Sequence, residues 1–165
     1  MKIAINNSQK GFTLIEILVV LFLCSLVILP GLYSWQQQLQ RHHLIDTARQ
    51  VSEFIYSNLM EGIYLNQHRI LSINQGRGNW SLVVKDAVTQ RERNKLTAEM
   101  FKGIEINKVT RTSVDLYGKQ GTSRAFSISL TNKNEQITIV MSAVGRIRGC
   151  SSQLFAGIPD VKSLL

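Results

Sequence analysis

Residues 17–29 read Ile-Leu-Val-Val-Leu-Phe-Leu-Cys-Ser-Leu-Val-Ile-Leu, an apolar run without a charge. With residues 12–15 added, a helix of this sequence is long enough to cross most of a bilayer. Glu16 is its one acid. A carboxylate in hydrocarbon costs about 2.5 kcal/mol or more, so such a residue usually has a partner and a task. Pro30 and Gly31 follow the run. Proline removes a backbone hydrogen bond, so a kink or local melting is expected there. Beyond it, Leu39, Ile45, Ala48, Val51, Ile55, Leu59 and Ile63 recur mostly at three- and four-residue spacings, with Asp46, Arg49, Gln50 and Glu53 on the polar side. The pattern predicts one helix in two parts, the first apolar all round and the second amphipathic, with its stripe turned to its own domain. From residue 12 to residue 65 such a helix measures ~80 Å.

Past Asn66 the period shortens to two. Residues 69–73 and 80–84 are predicted strands around the turn-rich Asn74-Gln75-Gly76-Arg77-Gly78-Asn79. Residues 89–95 carry Arg91, Glu92, Arg93 and Lys95 and are expected to be an exposed loop. Ile104, Ile106 and Val109 begin another strand in imperfect phase, and Val114 and Leu116 flank Asp115 in a further one before a turn at 118–121. Phe126, Ile128 and Leu130 alternate with Ser127, Ser129 and Thr131. After Asn132-Lys133-Asn134-Glu135, Ile137, Ile139 and Met141 alternate with Thr138, Val140 and Ser142. This is the clearest hairpin, with one face buried and one wet. The tail from Cys150, which contains Pro159, is expected to be loosely ordered. Roughly five to seven antiparallel strands must bury their apolar face on something, and the amphipathic half-helix is the one candidate. The predicted fold class is α+β, a long N-terminal helix with an antiparallel sheet wrapped against its second half.

Composition narrows the function. The chain has 165 residues and a formal net charge of +8. From residue 76 onward, fourteen Lys and Arg stand against seven Asp and Glu. A cationic outer domain suits phosphate polymers or an anionic surface, and equally plain solubility. Cys24 lies in the apolar run and Cys150 near the other end, so no bridge between them is expected. The domain then folds without a disulfide even in an oxidising compartment, and Cys150 is either a buried thiol or a link between chains. His42, His43 and His68 lack the Cys or acid spacing of a zinc site. There is no phosphate loop and no Gly-x-Ser-x-Gly elbow. Neither enzymatic activity nor a cofactor is expected.

The leader carries the most specific signal. Residues 1–11 are polar, with Lys2 and Lys10 and no acid. A secretory signal places its apolar core before the cleavage site, whereas here the small residue, Gly11, precedes the core. A cut there removes the basic leader and leaves the hydrophobic helix on the mature chain. Lys10-Gly11-Phe12-Thr13-Leu14-Ile15-Glu16 closely resembles the class III leader of type IV prepilins and type II secretion pseudopilins. The resemblance implies cleavage between Gly11 and Phe12 by prepilin peptidase and N-methylation of Phe12. It implies three segments: a leader at 1–11, a transmembrane and assembly helix at 12–32, and a periplasmic pilin-like domain at 33–165. It places the chain in the bacterial inner membrane as a single-pass protein, and later in a pilus or pseudopilus. The implied partners are prepilin peptidase, other major and minor pilins, the pilus assembly platform and the inner membrane.

Two further stretches sharpen the resemblance. Trp80-Ser81-Leu82-Val83-Val84 and the ending Ile139-Val140-Met141-Ser142-Ala143-Val144-Gly145-Arg146-Ile147-Arg148 are similar to the GspH/FimT family of minor pilins and pseudopilins, in which the last strand typically ends in Gly-Arg-x-Arg. The pattern is also similar to enterobacterial prepilin-peptidase-dependent proteins. The C-terminal disulfide loop of major pilins has no counterpart here. The acid-rich calcium loop of a major pseudopilin is also missing, since the tail holds only Asp160. The implied function is a minor pilin of a type IV pilus, incorporated into the filament or priming its assembly, with a type II secretion minor pseudopilin as the alternative.

Two positions gain roles from physics and resemblance together. After cleavage Phe12 carries a positive amine, and Glu16 lies one turn on, near the positive end of the helix dipole. The amine of the same chain and that of an adjacent subunit are both open as partners. The resemblance favours the adjacent one, which makes Glu16 an assembly residue and register pin. Arg146 and Arg148 are two apart at the end of an extended segment, so both side chains are expected on one side. Gly145 and Gly149 flank them and permit close approach, and arginine grips phosphate with two hydrogen bonds. They are candidate DNA-binding residues for DNA uptake, with Arg124 and Lys133 as further members.

Processing is directly measurable. Mass spectrometry of membranes from cells with active prepilin peptidase should find a chain beginning at methylated Phe12. Gly11→Val should block the cut, because a branched side chain then occupies the cleavage position. An intact Met1 start in wild-type membranes contradicts the expectation.

Overall fold

The computed structural model describes residues 12–76, 78–116, 123–132 and 135–151, without the side chains at 27, 29, 30 and 33. The chain divides into two compact units, Met1–Leu39 and Gln40–Leu165. One helix, α1 (Leu14–Tyr64), contributes to both. In the first unit α1 is unbroken at Pro30 and Gly31, so the expected local melting does not occur. Its described side chains there are all exposed. Among the described residues no helix is long and apolar enough to cross a membrane. Two side chains of the apolar run, at 27 and 29, lie outside those residues, and the membrane-crossing expectation rests on the sequence alone.

In the second unit the amphipathic stripe of α1 is the floor of the core. Leu44, Ala48, Val51, Ile55 and Leu59 are buried, at spacings of three and four that keep them on one helix face. Thr47 and Asn58 share that burial and satisfy their polar atoms locally. Thr47 Oγ1 donates to the His43 carbonyl at 2.7 Å and Asn58 Nδ2 to the Phe54 carbonyl at 2.7 Å. Asn58 Oδ1 also accepts from Asn94 at 2.6 Å. Of the residues expected on the stripe, Leu39 is exposed and falls in the other unit, and Leu44 begins the buried face instead. The helix closes at Gly62, whose carbonyl accepts from Gln67 N–H at 2.9 Å. A side chain there would meet the Gln67 carbonyl at 3.2 Å and the Arg69 stem at 3.6 Å, so glycine lets the chain fold back closely.

Eight strands follow among the described residues. They are β1 (Arg69–Asn74), β2 (Ser81–Asp86), β3 (Glu92–Thr97), β4 (Glu105–Val109), β5 (Ser113–Leu116), β6 (Phe126–Thr131), β7 (Gln136–Met141) and β8 (Ile147–Ser151). They form two four-stranded antiparallel sheets, ordered β3-β2-β1-β5 and β4-β6-β7-β8. One hydrophobic cluster joins the α1 stripe to both sheets. Trp80 is fully buried in it, stacked on Phe101 with ring centroids 5.6 Å apart, and its indole N–H donates to the Ile104 carbonyl at 2.8 Å.

Three sequence expectations are corrected. Residues 92–97, expected within or beside an exposed loop, form β3. Its side chains are largely exposed, so no apolar alternation marks it, and it is held by backbone pairing to β2. The charges of Arg93 and Lys95 keep this sheet edge from recruiting another strand. The imperfect phase near Ile106 is a bulge: Ile106 pairs Leu130 and Lys108 pairs Ser129, leaving Asn107 as the extra residue. The ending read as one extended segment reverses at residues 142–146 and continues as β8, which includes Cys150. The turn expected at 118–121 and the tail from residue 152 lie outside the described residues.

Arg69 is the most deeply buried charged residue among the described residues of this unit, with Asp86 the other. It is 1% exposed, and its Nη1 donates to Glu61 Oε2 at 2.8 Å, while Nε and Nη2 have no hydrogen-bond partner among the described residues. The Arg69 hydrogen bond holds the Glu61 carboxyl below its ordinary value; partial burial opposes this, and the charges of Arg69 and Arg93 add to it. A depressed carboxylate stabilises the fold above its unfolded value of about 4.3, and that contribution is lost as pH falls through the folded value. The unfolding midpoint of the domain from Gln40 onward should therefore drop below about pH 4, and Glu61→Gln should flatten that drop. At pH 7, Glu61→Ala should cost about 1–3 kcal/mol in urea unfolding, because Arg69 loses its acceptor. An unchanged acid profile in Glu61→Gln contradicts this coupling.

Candidate functional site

The processing junction is half described. Gly11 lies outside the described residues, and Phe12 is 77% exposed. Thr13 caps α1: its carbonyl accepts from Glu16 N–H at 3.1 Å and Ile17 N–H at 3.3 Å, and its hydroxyl accepts from Glu16 N–H at 3.4 Å. Glu16 therefore sits in the first helical turn, where the dipole favours a negative charge. It is exposed and makes no ion pair among the described residues.

The second site is one end of the β4-β6-β7-β8 sheet. Antiparallel register brings the end of β4, the start of β6, the end of β7 and the start of β8 together there. Arg111 follows β4 and its Nε donates to the Ala125 carbonyl at 3.3 Å. Arg124 precedes β6, next to Ser123, whose N–H donates to the Ala143 carbonyl at 2.9 Å. Arg146 closes the turn between β7 and β8, with its N–H on Ser142 Oγ at 3.1 Å and its carbonyl accepting from Ser142 N–H at 2.9 Å. Gly145 takes φ +78° in that turn, a conformation that favours glycine. Arg148 lies on β8 opposite Val140, on the outer face. All four arginines are exposed.

The expected pair is thus divided by the turn. The strand alternation that would align Arg146 with Arg148 does not extend across it. Arg146 lines a cleft of ≈ 580 Å³ between α1 and β8, together with Arg49, Ser52, Glu53 and Tyr56 from α1 and Gly145, Ile147 and Gly149. Arg124 joins the arginine end. Lys133 lies outside the described residues, and its neighbours Asn132 and Glu135 are at the opposite end of β6 and β7. Sequence reading missed Arg49 and Arg111. Neither is near Arg146 in the chain, and only strand register and helix docking place them there.

His42 and His43 are exposed on α1, and no group of three His, Cys, Asp or Glu that could hold a metal exists among the described residues. Cys24 and Cys150 are free thiols. Cys150 is buried, and burial pushes its thiol up, with the Arg148 charge pulling the other way. This favours the buried-thiol reading over a link between chains.

Comparison with known proteins places these features. Residues 6–32 match the family described as the prokaryotic N-terminal methylation motif. Among solved structures, the minor pseudopilin EpsH from the Type 2 Secretion System of Vibrio cholerae is similar, with a TM-score of 0.54 and 15% sequence identity over 70% of this chain and 98% of that one. No curated protein matches the chain in sequence. Residues 6–32 thus carry an N-terminal methylation motif, and the helix and sheet domain behind it has a pilin-like fold.

Proposed function

We propose that the chain is a minor pilin of a type IV pilus, processed at Gly11 and Phe12 by prepilin peptidase and assembled with other pilins from the inner membrane. The observation that carries this reading is a methylation motif that runs from residue 6 into the first part of α1, whose described apolar side chains there are exposed. Such a surface is covered by lipid before assembly and by neighbouring helices after it. In this reading the second unit stands in the periplasm. A type II secretion minor pseudopilin is the second reading, favoured by the likeness to EpsH.

Glu16 tests the assembly role. Its carboxylate lies in the first turn of α1, four residues after Phe12, and its proposed partner is the Phe12 amine of an adjacent subunit. Glu16→Ala removes a charge from hydrocarbon, so membrane levels should be no lower. Incorporation into sheared filaments should fall. Normal incorporation excludes the pairing role.

The arginine end supports a further part of the proposal, contact with DNA. Arg111 after β4, Arg124 before β6, and Arg146 and Arg148 at the start of β8 all stand at this end of the sheet. Two phosphate contacts give a salt slope of about −1.4 to −1.8, depending on whether the DNA is single- or double-stranded. Replacing Arg146 and Arg148 together by Ala should flatten the slope and lower affinity in a salt series, while leaving thermal unfolding unchanged. A double variant that binds like the parent removes DNA contact from the proposal.

A further inference from the structure

The cleft between α1 and β8 is built differently from the arginine end that borders it. Its α1 wall is Arg49, Ser52, Glu53 and Tyr56, spaced three and four apart and therefore one stripe of the helix. This is a second stripe, beside the one that floors the core. Tyr56 is 52% exposed, so half of a large aromatic side chain remains open to solvent. The opposite wall is Gly145, Arg146, Ile147 and Gly149. A side chain added at Gly149 would meet nothing within 4 Å, so this wall is open space beside backbone. Neither Arg49 nor Arg146 makes an ion pair among the described residues.

An exposed aromatic side chain sharing one cleft with two cations that make no ion pair among the described residues suits one kind of ligand well. A flat, uncharged ring that carries negative charge on either side can stack on Tyr56 while its flanks meet Arg49 and Arg146. Nucleotides in a single strand have that form. In a duplex the base faces are covered by their neighbours, and only base edges and the phosphates reach a protein surface. A volume of ≈ 580 Å³ lies in the range of small-ligand clefts and takes a base with its sugar. Glu53 is in the same cleft. Its carboxylate repels phosphate but accepts from an N–H on the edge of a base, the N3–H of thymine included. Arg148, Arg124 and Arg111 continue the positive charge beyond the cleft along the sheet end, where a strand's phosphates would run.

We infer that this cleft seats an unpaired nucleobase of single-stranded DNA, stacked on Tyr56 and flanked by phosphates on Arg146 and Arg49. The inference rests on the DNA contact proposed above. It adds the strand form that is preferred and the residue that selects it.

The test uses the full chain in detergent micelles at low salt, with a labelled twelve-residue thymidine oligonucleotide and a duplex of the same length read by fluorescence anisotropy. The parent should bind the single strand more tightly than the duplex. Tyr56→Ala should weaken single-strand binding by about five- to 150-fold and leave duplex binding unchanged. Tyr56→Leu keeps apolar bulk at the position and should weaken it similarly, whereas Tyr56→Phe keeps the aromatic face and should bind like the parent. If the Ala and Leu variants bind the single strand as the parent does while the Arg146 and Arg148 double variant loses both DNAs, the cleft assignment is wrong and the DNA reading stands. That is also the pattern expected if the cleft seats a protein segment instead. If the parent binds neither DNA, both readings fall together.

Discussion

The domain depends on one apolar stripe of α1 being covered from above. Leu44, Ala48, Val51, Ile55 and Leu59 lie on a single helix face, and each would be exposed without the sheets. The sheets have the reciprocal need, since Leu71, Ile73, Leu82, Val84, Ile128, Leu130, Ile137 and Ile139 are buried on their inner faces. Neither layer is stable alone, because an apolar face in water loses about 25 cal/mol for every Å² left uncovered. The single cluster that joins helix and both sheets meets that constraint.

Polar contacts then fix how the layers sit. Asn58 bonds across to Asn94 of β3, and Asn132 Nδ2 donates to the Gln40 carbonyl at 3.3 Å. Arg41 lies 3.6 Å from Glu135, in the same turn as Asn132. These bonds tie the start of the second unit's helix to the β6–β7 turn and its later part to β3. Ser123 links the two sheets by pairing with Leu116 of β5 and donating to the Ala143 carbonyl. Arg69 belongs to this set, since a buried guanidinium tolerates few arrangements besides the one that reaches Glu61.

The functional surfaces inherit their positions from this packing. Arg111, Arg124 and Arg146 share one end of the sheet because of how β4, β6, β7 and β8 pair, and a slip of one residue would turn alternate side chains to the other face. The cleft exists because α1 is longer and wider than the stripe it buries. Its Arg49, Glu53 and Tyr56 face remains uncovered beside the β8 edge.

Much of this was legible along the chain. The apolar run, Glu16 and Gly11 are local features, and residues 6–32 match the methylation motif. The α1 stripe and the β6–β7 hairpin each repeat with their own period, so local pattern sufficed for them. β3 could not be read, because a strand exposed on both faces carries no alternation and is defined by the hydrogen bonds of its neighbour. β8 was hidden for a related reason. Residues 139–148 are uniformly compatible with extension, and only the bonds between Ser142 and Arg146 show the reversal. Residue order placed Arg146 and Arg148 side by side, while the folded chain sets Arg146 toward Tyr56 and Arg148 on the outer face. Periodicity reports which face of an element is apolar. Which elements become neighbours is a matter of long-range pairing, and only the tertiary structure decides it.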